Sequence, residues 1–91
     1  MIYVDDLFYS PAFGYNYWCH CTADTLTELH EFADKLRLKK VWFQQKGNRC
    51  SHDHYDLTKT KRILALRKGA RALSIQEYCE VVRRNNQGAL V

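Results

Sequence analysis

Between Cys50 and Asp56 the chain sets a thiol, two imidazoles and two carboxylates into seven residues: Cys50, His52, Asp53, His54 and Asp56. Such groups bind metals, move protons near neutral pH, or hold one another in place. An upstream cluster, Cys19-His20-Cys21 followed by Asp24, carries matching types. Three chemistries fit. The first is a metal site. Cys19, Cys21, Cys50 and His52, with His20 and His54, outnumber the four ligands of structural zinc, although C-x-C and C-x-H-x-H are tighter spacings than structural zinc prefers. Asp5, Asp6, Asp24 and Asp56 offer the oxygen-rich alternative for Mg²⁺ or Mn²⁺.

The second chemistry is metal-free handling of a phosphate or nucleotide. His54 acts as general acid or base, Asp56 or Asp24 orients its ring, and His20 is the second proton-transfer group. Arg62 and the N-terminus of its helix hold an anion. Asp5, Asp6, Gln44 and Tyr55 complete the expected ligand contacts. The third is a binding module without catalysis. There the basic helix 58–68 and the aromatic loop 8–18 contact nucleic acid or a host protein. In that case His54 and Asp56 fasten a loop to a helix start, Asp56 and Thr58 cap the helix, and Tyr55 and Leu57 are core.

The elements that must carry these groups follow from patterning. Ile2-Tyr3-Val4 predicts a short buried strand. Residues 7–24, rich in aromatics and punctuated by Pro11 and Gly14, predict a long loop whose rings either stack on bases or cap a small core. Thr25 and Glu28 form a capping box, and Leu26, Leu29, Phe32, Ala33 and Leu36 predict a helix over 25–37 with a partly buried His30 on its margin. Val41-Trp42-Phe43 predicts a second strand, followed by a loop from Gln44 to Asp56 with a turn at Gly47-Asn48. Asp56 or Thr58 caps a helix that Gly69 ends. Arg71-Ala72-Leu73 predicts a third strand. Ser74 and Glu77 cap a last helix that ends near Arg84, leaving 85–91 as a frayed tail.

This alternation predicts an α/β fold: a small three-layer sandwich with a short, mostly parallel three-stranded sheet and about three helices. In such a sheet ligands sit beyond the carboxyl ends of the strands, where Asp5, Gln44–Asp56 and Ser74 fall.

Ninety-one residues make one small domain over 1–91, and a hydrophobic fraction of 46% excludes a disordered chain. No apolar run reaches membrane-spanning length, and the N-terminus lacks the basic start and apolar core of a signal peptide. The expected location is the cytoplasm, with no membrane partner and with cysteines that are not disulfide-bonded. The net charge of +4 is divided sharply. Residues 1–34 hold six acids and no Lys or Arg, whereas all 14 basic residues lie from Lys35 onward. A basic half suits an anionic partner, or is a solvated surface.

Val4-Asp5-Asp6, His20 with Asp24-Thr25, Glu28-Leu29-His30 with Phe32-Ala33, Trp42-Phe43, His54-Tyr55-Asp56-Leu57, Arg62 and Gly69-Ala70 together resemble a family of small bacterial and phage proteins catalogued as domain of unknown function 4031. The resemblance covers residues 1 to about 75. It implies that Asp5, Asp6, His20, Asp24, His30, His54, Tyr55 and Asp56 belong to the family pattern and that Cys19, Cys21, Cys50 and His52 do not. A phage origin would place the protein in the host cytoplasm. The resemblance narrows fold and site and implies no particular activity. The function expected from all of this is a hydrolase-like or nucleotide- or phosphate-binding protein with a His/Asp site, and a divalent Mg, Mn or Zn ion as the cofactor to test.

Overall fold

The computed structural model describes residues 1–47 and 50–88, with side chains through Asn86. The order of elements is β1 (Ile2–Val4), β2 (Phe8–Ala12), β3 (Tyr15–Ala23), α1 (Leu26–Lys35), a 3₁₀ turn (Lys40–Trp42), β4 (Tyr55–Thr58), α2 (Lys59–Arg67), β5 (Arg71–Ala72) and α3 (Ile75–Gly88).

The sheet is five-stranded, mixed and mostly antiparallel, which corrects the expected parallel three-stranded sheet. β3 is its spine. β1 and β2 run antiparallel along one edge of β3 and β4 runs antiparallel along the other, since Trp18 pairs with both Phe8 and Thr58 and Cys21 with both Val4 and Tyr55. Among the described residues only the β1–β5 pair is parallel.

The correction has a local cause. Residues 8–23 are not a loop but a hairpin that closes through Phe13-Gly14, both with positive φ (52° and 83°). Two such residues make the mirror-image turn whose twist matches the strands. Gly14 takes that conformation at no cost, whereas Phe13 is a poor advertisement for it. Pro11 also reads as a strand breaker. It lies where the register shifts between Tyr9 and Ala12, on a strand that pairs on one side only, where its missing N–H is tolerated.

Residues 41–43 are not a strand either. Val41 is 85% exposed, and the 3₁₀ turn ends at Phe43, whose ring meets His30 and Tyr55. The edge those residues would have paired with is taken by Tyr55–Thr58, whose alternation of Tyr55 and Leu57 with Asp56 and Thr58 suits a strand with two different faces.

Helices cover both faces. α1 and α2 pack on one, burying Val4, Cys19, Cys21, Leu29, Leu36 and Leu57. α3 covers part of the other with Tyr78 and Val81 against Tyr3 and Leu73. The caps stand where local chemistry put them. Thr25 accepts from Glu28 N, Thr58 from Lys61 N and Ser74 from Glu77 N, and Gly69 takes φ +103° past the end of α2. α3 runs past Arg84 to Gly88, because Asn85 donates to the Ala23 carbonyl and Asn86 to the Ser51 carbonyl. Residues 89–91 of the expected tail, and part of the Gly47-Asn48 turn, lie outside the described residues.

Candidate functional site

A strand sends alternate side chains to opposite faces. On β3 this sends Cys19 and Cys21 into the α1/α2 core and His20 to the face that carries α3. On β4 it sends Tyr55 and Leu57 inward and Asp56 out with His20. The pairing register aligns the rest. His20 stands opposite Asp56 on β4. On its other side Asp5 extends the β1 register, donating its N–H to the His20 carbonyl at 3.3 Å. The Asp5 carboxylate replaces the return backbone bond, with Oδ1 accepting His20 N–H at 2.6 Å and Oδ2 meeting His20 Nδ1 at 2.7 Å. Asp5, His20 and Asp56 thus form a row across three strands. His54, two residues before Asp56, joins on the same face, and Gln44 is fixed beside it by paired backbone bonds to His54 at 2.9 and 3.0 Å. The site centres on a sheet face because His20 and Asp56 are mid-strand side chains whose parity aims them there, while Asp5 directly follows the carboxyl end of β1 and His54 directly precedes β4.

The hydrogen bonds fix which ring nitrogens are free. His54 Nδ1 lies 2.9 Å from the His52 carbonyl, which can only accept, so Nδ1 carries the proton. His20 Nδ1 likewise faces a carboxylate oxygen and donates to it. That leaves Nε2 of each ring for other partners, and for His54 that partner is Asp56. Ligand atoms of His20, His54 and Asp56 lie within 4.8 Å of one another, the grouping among the described residues that could hold a metal ion. Asp56 Oδ1 is 3.5 Å from His54 Nε2, and its Oδ2 accepts from Gln44 Nε2.

Electrostatics match. Burial alone would lower the His54 pKa, but its hydrogen bonds to Asp56 and the His52 carbonyl outweigh burial and raise it. Burial would raise the Asp56 pKa, but His54 and Gln44 hold it below the ordinary carboxylate range. The pair favours a proton on His54, which a metal ion at the same nitrogen would have to displace.

Behind them His52 stacks on His54 with centroids 4.5 Å apart and 22° between planes. Its Nε2 meets Tyr78 Oη at 2.9 Å and its Nδ1 meets Ser51 Oγ at 3.0 Å, so both nitrogens of a neutral ring are satisfied. Burial, then the neighbouring His54 and His20, push the His52 pKa down from 6.5 to about 4. The sign of the linkage follows. Between those two values the unfolded chain binds the proton and the folded chain does not, so stability is full above pH 6.5 and falls as pH drops toward 4. At 1.36 kcal/mol per unit the metal-free protein loses about 3 kcal/mol to this residue across the window. Urea unfolding of wild type and His52→Gln from pH 7.5 to 4 measures it. The variant should gain on the wild type as pH falls, and parallel curves would show that His52 titrates normally.

Not every expected residue comes to this place. Cys19 and Cys21 are fully buried on the opposite face, and burial raises both thiols, Cys19 to about 12. They are packing groups, and a zinc site built on them with His20 has no geometry. Cys50 and His52 do line the cleft, but neither joins the grouping of His20, His54 and Asp56. Asp24 sits at the far end of β3, where it binds Arg84 at 2.8 Å and Tyr3 Oη at 3.1 Å. Of the oxygen-rich set only Asp24 is elsewhere: Asp5, Asp6 and Asp56 all line the cleft, but Asp6 is largely exposed, 4.0 Å from Arg62, and neither Asp5 nor Asp6 joins the grouping of His20, His54 and Asp56. Tyr55 is core, and its hydroxyl meets His30 Nδ1 at 2.9 Å. Arg62 is a clamp, donating from Nε to the Asp5 carbonyl at 2.9 Å and thereby fixing the end of β1 that carries Asp5. With Lys61 donating to the Leu36 carbonyl, two cations of the basic helix are spent on internal contacts.

Three groups were missed. Phe8 stacks on His20 (4.9 Å, 28°), Tyr78 holds His52, and Arg83 lines the cleft as its basic residue. The signal for the last two was present: Ile75, Tyr78, Cys79, Val82, Arg83 and Asn86 form one helical stripe, and that stripe walls the cleft of about 870 Å³.

Fold and site together define an α/β protein with a histidine–carboxylate cluster in an open cleft on one face of a mixed sheet. The chain belongs to the family described as "Protein of unknown function (DUF4031)", whose model matches residues 2–85. No curated protein and no solved structure matches it. No helix among the described residues is long and apolar enough to cross a membrane.

Proposed function

We propose that this chain is a hydrolase-like protein that binds one divalent transition-metal ion through His20 Nε2, His54 Nε2 and an Asp56 oxygen, and acts on a phosphate-bearing substrate. One observation carries the reading. Both histidines have Nδ1 committed to an acceptor, Asp5 for His20 and the His52 carbonyl for His54, which leaves Nε2 as the ligating nitrogen of each; His54 Nε2 already faces Asp56 at 3.5 Å, and the two rings and Asp56 offer ligand atoms within 4.8 Å of one another. Metal-binding histidines are oriented in this way, by a carboxylate or carbonyl on the nitrogen that does not ligate. Gln44 gives Asp56 the same support.

Donor atoms around a tetrahedral zinc lie about 3.3 Å apart, so atoms already within 4.8 Å need only small side-chain rotations. Three protein ligands with open positions are the pattern of catalytic rather than structural sites. Two imidazoles favour Zn²⁺, Mn²⁺ or Fe²⁺ over Mg²⁺. Such an ion supplies Lewis acidity to a water and to a phosphoryl oxygen. Hydrolysis adds water across a P–O ester bond, with the hydroxyl going to phosphorus and the proton to the leaving oxygen. Arg83 on the cleft wall offers charge to the anion, and His52 and Phe8 hold the ligand rings in plane.

The test uses full-length chain purified without a metal-affinity tag and stripped by chelator. Calorimetric titration with Zn²⁺ or Mn²⁺ should show one equivalent bound, with turnover of bis(p-nitrophenyl) phosphate restored in parallel. Metal at 100 times its Kd should add about 2.7 kcal/mol to stability. No binding by either ion, together with no shift in Tm, would sink the metal reading.

A further inference from the structure

Beside the metal cleft runs a second depression of about 500 Å³, walled by Phe8, Phe13, Tyr15, Trp18 and Trp42 and closed at one end by Lys61. It is not separate from the site. Phe8, Gln44 and Asp56 line both, so the two adjoin at Asp56, the member of the histidine–carboxylate cluster they share. Its rings are not filling a core: Phe13 is 92% and Trp42 49% exposed. Trp18 Nε1 is the buried side-chain polar atom among the described residues that has no hydrogen-bond partner. Tyr15 stands edge-on to the Trp18 ring at 5.9 Å, which holds the indole in place. Lys39 lies 5.7 Å over Trp42, so the outer ring carries a cation on one face. Aromatic faces line this depression, and Arg83 is the basic residue on the wall of the adjoining cleft that holds the ligand cluster.

We infer that this groove binds the base of a nucleotide, so that the substrate of the adjacent site is a nucleotide-type phosphate ester. The inference rests on the proposed metal-dependent reading and names its substrate class. A flat ring suits the aromatic walls, and the phosphate it carries suits the neighbouring histidine–carboxylate cluster and Arg83. Stacking is tolerant of base identity, so all four bases should be accepted.

The test titrates the Mn²⁺-loaded full chain with AMP, GMP, CMP and UMP, and with ribose 5-phosphate and maltotriose as controls. Tryptophan fluorescence and calorimetry give the readout. Nucleotides should bind about 10-fold or more tighter than ribose 5-phosphate, and Trp42→Ala or Phe13→Ala should erase most of that difference. Metal content should stay the same in both variants, whose exposed rings are not needed for folding. Equal affinity for nucleotides and ribose 5-phosphate, or no binding of either, overturns the groove assignment and leaves the metal result standing. Maltotriose binding that is lost in Trp42→Ala, without nucleotide binding, overturns it in favour of a sugar site. Nucleotide binding that survives complete metal removal and keeps its Trp42 dependence supports the groove while counting against the metal reading.

Discussion

His54→Ala should lose the metal and the turnover together while keeping its fold. The substitution removes one of three ligands and leaves His20 and Asp56 with no bridge between them. Perturbing only the partner of a ligand costs 10–100-fold in metal affinity, so deleting the ligand should cost more than about 100-fold. The fold should survive. The losses are one bond to the His52 carbonyl at 2.9 Å, the contact with Asp56 at 3.5 Å and the stack on His52 at 4.5 Å, and Asp56 keeps Gln44 as a partner. An unsatisfied buried group costs about 1–3 kcal/mol, against a usual stability of about 5–15. Metal analysis, circular dichroism and Tm on the same sample separate the two effects. His30→Ala is the matched control. It removes a half-buried imidazole also bonded at 2.9 Å, but one that meets Tyr55 on the far side of the sheet, and its metal content should not change. Full metal occupancy in His54→Ala would end the proposal. Should that variant unfold, His54→Gln keeps a polar group at the position and asks the same question.

Asp5→Asn should weaken metal binding by 10–100-fold and cost about 1–3 kcal/mol of stability. Asp5 accepts from both His20 Nδ1 and His20 N–H, at 2.7 and 2.6 Å. An amide has one acceptor oxygen, so its NH₂ faces either the His20 backbone N–H or Nδ1, and in the second case the ring must take the tautomer protonated on Nε2, which cannot ligate. Either the backbone loses a ladder contact between β1 and β3, or the ring loses the bond that fixes its protonated nitrogen. Asp6→Asn tests whether this is mere loss of charge. Asp6 is one residue away but 66% exposed and 4.0 Å from Arg62, so its substitution should move Tm by less than 0.5 kcal/mol equivalent and leave metal affinity intact. If the two variants behave alike, Asp5 acts only through the field, and His20 is not oriented by contact.

Much of the local structure was legible in the sequence. Thr25 with Glu28, Thr58, Ser74 with Glu77, and Gly69 mark helix ends because capping is satisfied within three or four residues. His20, His54 and Asp56 were legible as site candidates by type and density. The His-x-His-x-Asp spacing of residues 52–56 also held a clue in its period of two, which on a strand puts all three on one face. That clue was masked because Asp56 and Thr58 look equally like helix caps. The hairpin was illegible for a different reason: its turn depends on Phe13 adopting a conformation that side chains disfavour, and its Pro11 is tolerated only at an irregular position on a strand paired on one side.

What the sequence determined by itself, then, was chemistry and ends: which groups could ligate or titrate, where helices start and stop, and that the chain carries enough apolar surface to fold. Which of those groups meet was decided by tertiary structure. Strand pairing brings Asp5, His20 and Asp56 from three separate segments into one row, and strand parity turns Cys19, Cys21 and Tyr55 away from it. The physical reason is that a cap is a bond between near neighbours, whereas register is set by which long-range alignment buries the most apolar surface without leaving backbone groups unpaired. No stretch of the chain encodes that alone. It emerged only once β3 had partners on both edges.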